Sequence, residues 1–126
     1  QELAHRRVDA LSGGQRQRAW IAMALAQNTK ILFLDEPTTY LDIRYQLDIL
    51  RLVKKLNREY GITIVMVLHE INQAIHFSDE VIGLKDGKVL VQGDPKDVIT
   101  TESISELYDV HLNVADIDGQ KFVLTV

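Results

Sequence analysis

The sequence predicts an α/β fold in which a mostly parallel sheet is flanked by helices. Three observations lead there. Two short apolar runs, Ile31-Leu32-Phe33-Leu34 and Ile62 to Leu68, are separated by an amphipathic stretch from Ile43 to Tyr60, and each run stops at polar, chemically capable residues, Asp35-Glu36 and His69-Glu70. Strand, helix and strand in that order is the pattern of a parallel crossover. Continuous apolar runs, rather than alternating ones, are expected of strands covered on both faces.

Residues 1–10 are polar and carry no period. Ser12 can cap a helix start, with Gln15 three positions on to complete a capping box. The good helix formers that follow predict a helix from Gly13 to Ala26, spanning 12–27 with its caps. The first strand spans 31–36 and is stopped by Pro37. From Ile43 to Tyr60 the residues Ile43, Leu47, Leu50, Val53 and Leu56 recur at spacings of three and four, which marks an amphipathic helix, and Gly61 terminates it. The second strand spans 62–69 and is rich in β-branched residues. Asn72 to Phe77 forms a short helix. Glu80–Leu84 and Lys88–Gln92 form a hairpin, because Asp86-Gly87 favours a tight turn. One or two small helices follow Gly93-Asp94-Pro95, with Thr101 opening the last. Asp118-Gly119 suggests a further hairpin between Asn113 and Val126.

The composition narrows the function. Hydrophobic residues make up 46% and charged residues 25%, the balance of a chain that folds around a core. A formal net charge of −4 disfavours nucleic acid as a partner, since neutralising phosphates needs a basic surface. Zero cysteines exclude disulfides and thiolate metal sites, which suits the cytoplasm. No apolar run reaches the roughly 20 residues of a membrane span, so any link to a membrane runs through a partner. The chain begins without Met and without a signal segment, and reads as the interior of a longer protein.

Three segments carry chemistry. Leu11-Ser12-Gly13-Gly14-Gln15 leaves the first amides of a helix uncovered behind a capping serine, so an anion can approach backbone N–H groups at the positive end of the helix dipole. An ordinary helix cap would look the same from these five residues alone. Asp35 and Glu36 are adjacent carboxylates at a strand's end. Neighbours leaving a strand diverge, so Asp35 can hold Mg²⁺ while Glu36 polarises an attacking water, the two roles that phosphoryl transfer requires. His69 ends the second strand in the same way and can hydrogen-bond a phosphate or the attacking water. In open α/β sheets ligands bind outside the carboxyl ends of the strands, so Asp35, Glu36 and His69 are expected to converge on one crevice. His69-Glu70 also begins the zinc-protease pattern HExxH, but Gln73 stands where the second ligand belongs, and that alternative fails.

In this order the segments resemble the ABC ATPase family, whose LSGGQ signature, acidic strand end, D-loop and switch histidine are matched by Leu11 to Gln15, Asp35-Glu36, Leu41-Asp42 and His69. The resemblance implies part of a P-loop NTPase fold: residues 1–98 as the C-terminal portion of the ATPase domain, and 99–126 as a C-terminal extension. It also implies a head-to-tail pair of ATPase subunits sandwiching two ATP molecules. Leu11, Ser12, Gly13, Gly14 and Gln15 would touch the partner's nucleotide, and Asp42 would couple the two sites. Asp35 would place Mg²⁺, Glu36 would be the general base and His69 would sense the γ-phosphate. Integral-membrane permease subunits would be the further partners, which would put the protein on the cytoplasmic face of the membrane.

Some family features are not found in the chain. It contains no G-x-x-x-x-G-K-S/T, no Q-loop glutamine and no adenine-stacking aromatic, and these are expected to precede residue 1. Without the P-loop's phosphate cradle the chain alone is expected to be inactive. Tyr40 stands where the family often has a small residue, and Glu70 where an Asp commonly follows the histidine. Residues 35–43 (DEPTTYLDI), 69–74 (HEINQA) and 93–100 (GDPKDVIT) most resemble importers of ferric siderophores, haem or cobalamin. The alternatives are a soluble ABC ATPase acting in translation or DNA maintenance, and a non-catalytic interaction fragment.

Overall fold

A computed structural model describes Ala19, Ala22, Met23 and residues 26–125. The signature segment Leu11 to Gln15 lies outside the described residues. Ala19, Ala22, Met23 and Ala26 are helical, as the composition of that stretch predicts. Asn28 beyond them is left-handed, with φ 50°. The chain divides into two compact units, 1–68 and 69–126.

The first unit is built on β1 (Ile31–Asp35), α1 (Ile43–Tyr60) and β2 (Thr63–Val67). The strands pair in parallel, with Ile31 opposite Thr63 and Asp35 opposite Val67. Asp42 starts α1: its backbone is extended and its carboxylate accepts the Tyr45 N–H at 3.2 Å. Gly61 ends it with φ 67°, a left-handed conformation that glycine adopts without steric cost. The Gly61 amide then donates to Asn57 and the Ile62 amide to Leu56. The Asn57 side chain donates to the Ile62 carbonyl at 2.9 Å and so fastens the helix end to the following strand. Ile49, Leu50, Leu52, Val53 and Leu56 form the buried face of α1. Leu52, Leu56 and Ile62 pack together with Leu32 and Ile64 from the two strands.

Two expectations change here. Ile43 belongs to the apolar stripe by spacing, yet it is 64% exposed, because the buried face of α1 begins only at Ile49. The strands alternate in burial rather than being covered on both sides. Leu32 and Ile64 face α1, whereas Ile31, Phe33, Val65 and Val67 form an exposed apolar face, with Phe33 at 74%.

The second unit runs α2 (Ile71–Phe77), β3 (Val81–Lys85), β4 (Lys88–Gly93), α3 (Pro95–Val98), α4 (Thr101–Tyr108), β5 (Asn113–Ile117) and β6 (Gln120–Leu124). Both Asp-Gly turns behave as expected. Asp86 and Gly87, then Asp118 and Gly119, all have positive φ, the geometry that lets a two-residue turn follow the twist of a hairpin. The hairpins pair β3 with β4 and β5 with β6. Ile75, Ile99, Ile104 and Val123 form the core, with Ile71, Val81 and Leu107 packed on it. Thr100 and Ser103 exchange side chain-to-backbone hydrogen bonds at the start of α4. At its end Lys85 donates to the Glu106 carbonyl and to the carboxylate of left-handed Asp109.

Candidate functional site

The acidic strand end is shaped by its backbone. Asp35 is the last residue of β1 and is exposed, on the same strand face as Ile31 and Phe33. At Glu36 the chain turns into the left-handed region, with φ 51°. A non-glycine residue held there costs about 1 kcal/mol. Contacts along the turn hold it. The Glu36 amide donates to the Val67 carbonyl at 2.9 Å, extending the parallel ladder by one rung. The Glu36 carbonyl accepts the Thr39 amide at 3.2 Å, and the Thr39 hydroxyl lies 3.4 Å from the Glu36 carboxylate. Carboxylate and backbone are therefore oriented by the same short turn.

The segment from Thr38 to Asp42 is held from α1. Gln46 donates its side-chain amide to the Leu41 carbonyl at 2.9 Å and to the Thr38 carbonyl at 3.4 Å. Thr38 is buried, while Tyr40 has φ 65° and is fully exposed. Asp42 gives its carboxylate to the cap of α1, a structural duty beside the coupling role the sequence suggests. Asp35, Glu36 and Asp42 thus lie on one strand-turn-helix segment of the first unit. Sequence reasoning missed Thr39 and Gln46. Their contacts are local, but neither belongs to a periodic apolar pattern, and a polar residue inside the first turns of a helix gives no other signal.

His69 opens the second unit, one residue ahead of Glu70, which caps α2. The Glu70 carboxylate accepts the amides of Asn72 at 3.1 Å and Gln73 at 2.9 Å. Glu70 thereby caps two amides of the first turn. Burial raises the Tyr108 hydroxyl above its usual value of 10.0, and the charge of Glu70 adds to the shift. The other sequence-predicted residues, Leu11, Ser12, Gly13, Gly14 and Gln15, fall outside the described residues.

An exposed carboxylate at a strand end suits Mg²⁺, which keeps several waters and is held by one or two carboxylates together with substrate phosphates. Asp35 is such a group. Among the described residues no three His, Cys, Asp or Glu side chains form a self-sufficient metal cage. Nor is any described helix long and apolar enough to cross a membrane.

A parallel pair linked through a helix, with carboxylates leaving the strand end, is the β-α-β unit of an α/β protein. Residues 1–39 match the ABC transporter family. The ferric enterobactin transport ATP-binding protein of Escherichia coli is 53% identical over 114 residues, covering 90% of this chain and 42% of that protein. The iron(3+)-hydroxamate import ATP-binding protein of Bacillus subtilis is 50% identical over 113 residues, again 90% and 42%. Among solved structures, an inward-facing metal-chelate type ABC transporter superposes with a TM-score of 0.73 at 30% identity, over 94% of this chain and 47% of that one. A dimeric ATP-binding cassette bound to ADP and Pi gives 0.53 at 49% identity, over 67% and 36%. The chain belongs to the ABC transporter family of ATP-binding proteins. It spans about two fifths of the length of the curated relatives it matches.

Proposed function

We propose that the full-length protein is the ATP-hydrolysing subunit of an importer for iron chelates, with ferric siderophores as the leading substrate class and haem or cobalamin as the others the sequence suggests. The observation that carries this reading is the identity of 53% with a ferric enterobactin transport ATP-binding protein over a stretch that includes the acidic strand end. Asp35 places Mg²⁺ and Glu36 is the general base, its carboxylate set by Thr39 and by the left-handed backbone. His69 contacts the γ-phosphate. Leu11, Ser12, Gly13, Gly14 and Gln15 act on the nucleotide of a second, head-to-tail subunit, and Asp42 couples the two sites. Permease subunits complete the transporter, and the ATPase sits on the inner face of the membrane. The 126-residue chain alone, with no phosphate-binding loop in its sequence, does not turn over ATP.

The test is MgATP hydrolysis and nucleotide binding by the full-length protein and its Glu36→Gln variant. Loss of the base removes water activation but leaves metal and phosphate contacts intact, so turnover falls by about 10²–10⁴-fold while ATP still binds. Near wild-type turnover in the Gln variant removes Glu36 from the role.

A further inference from the structure

The helix that follows His69 is tied to a distant part of its own unit. Asn72, in the first turn of α2, pairs with the backbone of Val123 in β6 in both directions. Its amide nitrogen donates to the Val123 carbonyl at 3.1 Å, and its oxygen accepts the Val123 N–H at 2.8 Å. The side chain thereby stands in for a strand partner along the edge of β6. One turn further on, His76 adds a second tie. Its Nε2 lies 3.1 Å from the Lys121 carbonyl, which can only accept, so that nitrogen carries the proton. The His76 ring also meets the Phe122 ring edge-on, with centroids 4.5 Å apart.

At the N-terminal end of α2 the Glu70 carboxylate spans the Asn72 and Gln73 amides, which fixes the direction in which the chain enters the helix. His69 is the residue immediately before that cap. The ties on Asn72 and the cap meet at the same residue: its amide is held by Glu70 and its side chain by Val123. Pinning α2 on β6 therefore pins the point from which the chain presents His69. A purely packing role would be met by an apolar residue at position 72. Both hydrogen-bonding functions of the carboxamide are instead spent on one backbone site, which sets a direction as well as a distance.

We infer that Asn72 is a positioning residue for His69, and that the β5–β6 hairpin is the platform through which it acts. This rests on the proposed role of His69 at the γ-phosphate. Asn72 touches no nucleotide in this scheme. It keeps the backbone on which the imidazole is mounted from shifting, and displacements of about 1 Å can cost a catalytic site as much as 10²-fold.

The experiment is a double-mutant cycle in the full-length protein with Asn72→Leu and His69→Ala, reading kcat and KM for ATP, thermal stability and the imidazole Cε1–H NMR signal of His69. The expected result is a fall in kcat of about 10–100-fold for Asn72→Leu with KM changed by less than about twofold. The His69 signal broadens, and the double variant is no slower than His69→Ala, because coupled residues are non-additive. If Asn72→Leu fails to fold, Asn72→Asp keeps the acceptor for the Val123 amide, loses the donor, and takes its place in the cycle. Unchanged kcat in a folded Asn72 variant, or losses that simply add, overturns the inference while the role of His69 stands. Full activity in His69→Ala overturns the role of His69, and the inference falls with it.

Discussion

The amide of Glu36 donates to the carbonyl of Val67 across 2.9 Å, although Glu36 has already left the extended conformation of β1. The rung holds the first residue of the turn in register with the end of the neighbouring strand. The carboxylate proposed as base therefore stands on backbone in a conformation that glycine, not glutamate, prefers.

That conflict has a measurable consequence. In the full-length protein Glu36→Gly relieves the left-handed strain and gives up the side-chain contacts of Glu36, that with Thr39 among them. Stability to chemical denaturation is expected to hold or to rise by up to about 1 kcal/mol. ATP hydrolysis is expected to be lost. A clear fall in the unfolding midpoint would mean that the side-chain contacts of Glu36 outweigh the backbone strain.

Gln46 and Asp42 secure the turn that follows. Asp42→Ala removes the helix cap and is expected to cost about 1 kcal/mol. Asp42→Asn keeps an acceptor for the Tyr45 amide and is expected to restore most of that stability. Equal destabilisation by both variants would assign the effect to charge rather than to the cap.

Leu56 is completely buried between α1 and the strands. Leu56→Ala leaves a cavity against Leu52 and Ile62 and is expected to cost about 2–5 kcal/mol. Calorimetry of the variant gives the number, and a loss well below that range would mean the site collapses.

Gly93 has φ 143°, and a Cβ added there would sit 2.9 Å from the Val98 side chain. Strain and contact act together, so Gly93→Ala is expected to destabilise by about 1–3 kcal/mol. Shortening Val98 to Ala in the same chain would relieve the contact but not the backbone strain. Full recovery in the double variant would show that sterics alone are at work.

Alkaline pH addresses α4. The hydrogen bond that Lys85 donates to the Asp109 carboxylate raises the Lys85 ammonium above its usual 10.5, with the charges of Asp109, Asp86 and Glu106 adding to it against some desolvation. Burial, then Glu70, raises Tyr108 above 10.0. Both groups hold their protons more tightly when folded, so their contributions are complete below the unfolded values. They are lost as the pH climbs through the higher folded ones. Thermal melts through and above this range are expected to fall less steeply in Asp109→Asn and in Tyr108→Phe than in the parent protein.

The elements most legible in the sequence were those with a local cause. Spacings of three and four marked α1, and Gly61 its end. Two Asp-Gly steps marked both hairpins, because a turn with two left-handed residues narrows the choice of amino acid. The polar ends of the two apolar runs, Asp35-Glu36 and His69-Glu70, were equally plain. What composition and periodicity did not disclose was one-sided burial. Ile31 and Phe33 have the same apolar character as Leu32, and only the position of α1 decides which of them is covered. Nor could a pattern reveal that Glu36 is left-handed, since glycine and asparagine are the residues that advertise that conformation. The tie from Asn72 to Val123 was invisible for a different reason: its partners are 51 positions apart, and a single polar residue on a short helix carries no periodic signal.

That separation also bears on the order in which the second unit assembles. The two hairpins close across two-residue turns, contacts that form in about microseconds. The Asn72–Val123 pair must first close a loop through both hairpins and two helices, and the entropy of closure grows with loop length. The tie between Asn72 and Val123 is then expected to be among the last contacts of this unit to form. Pulsed hydrogen exchange would register the Val123 amide, which Asn72 covers, as slower to be protected during refolding than the amides of β3 and β4.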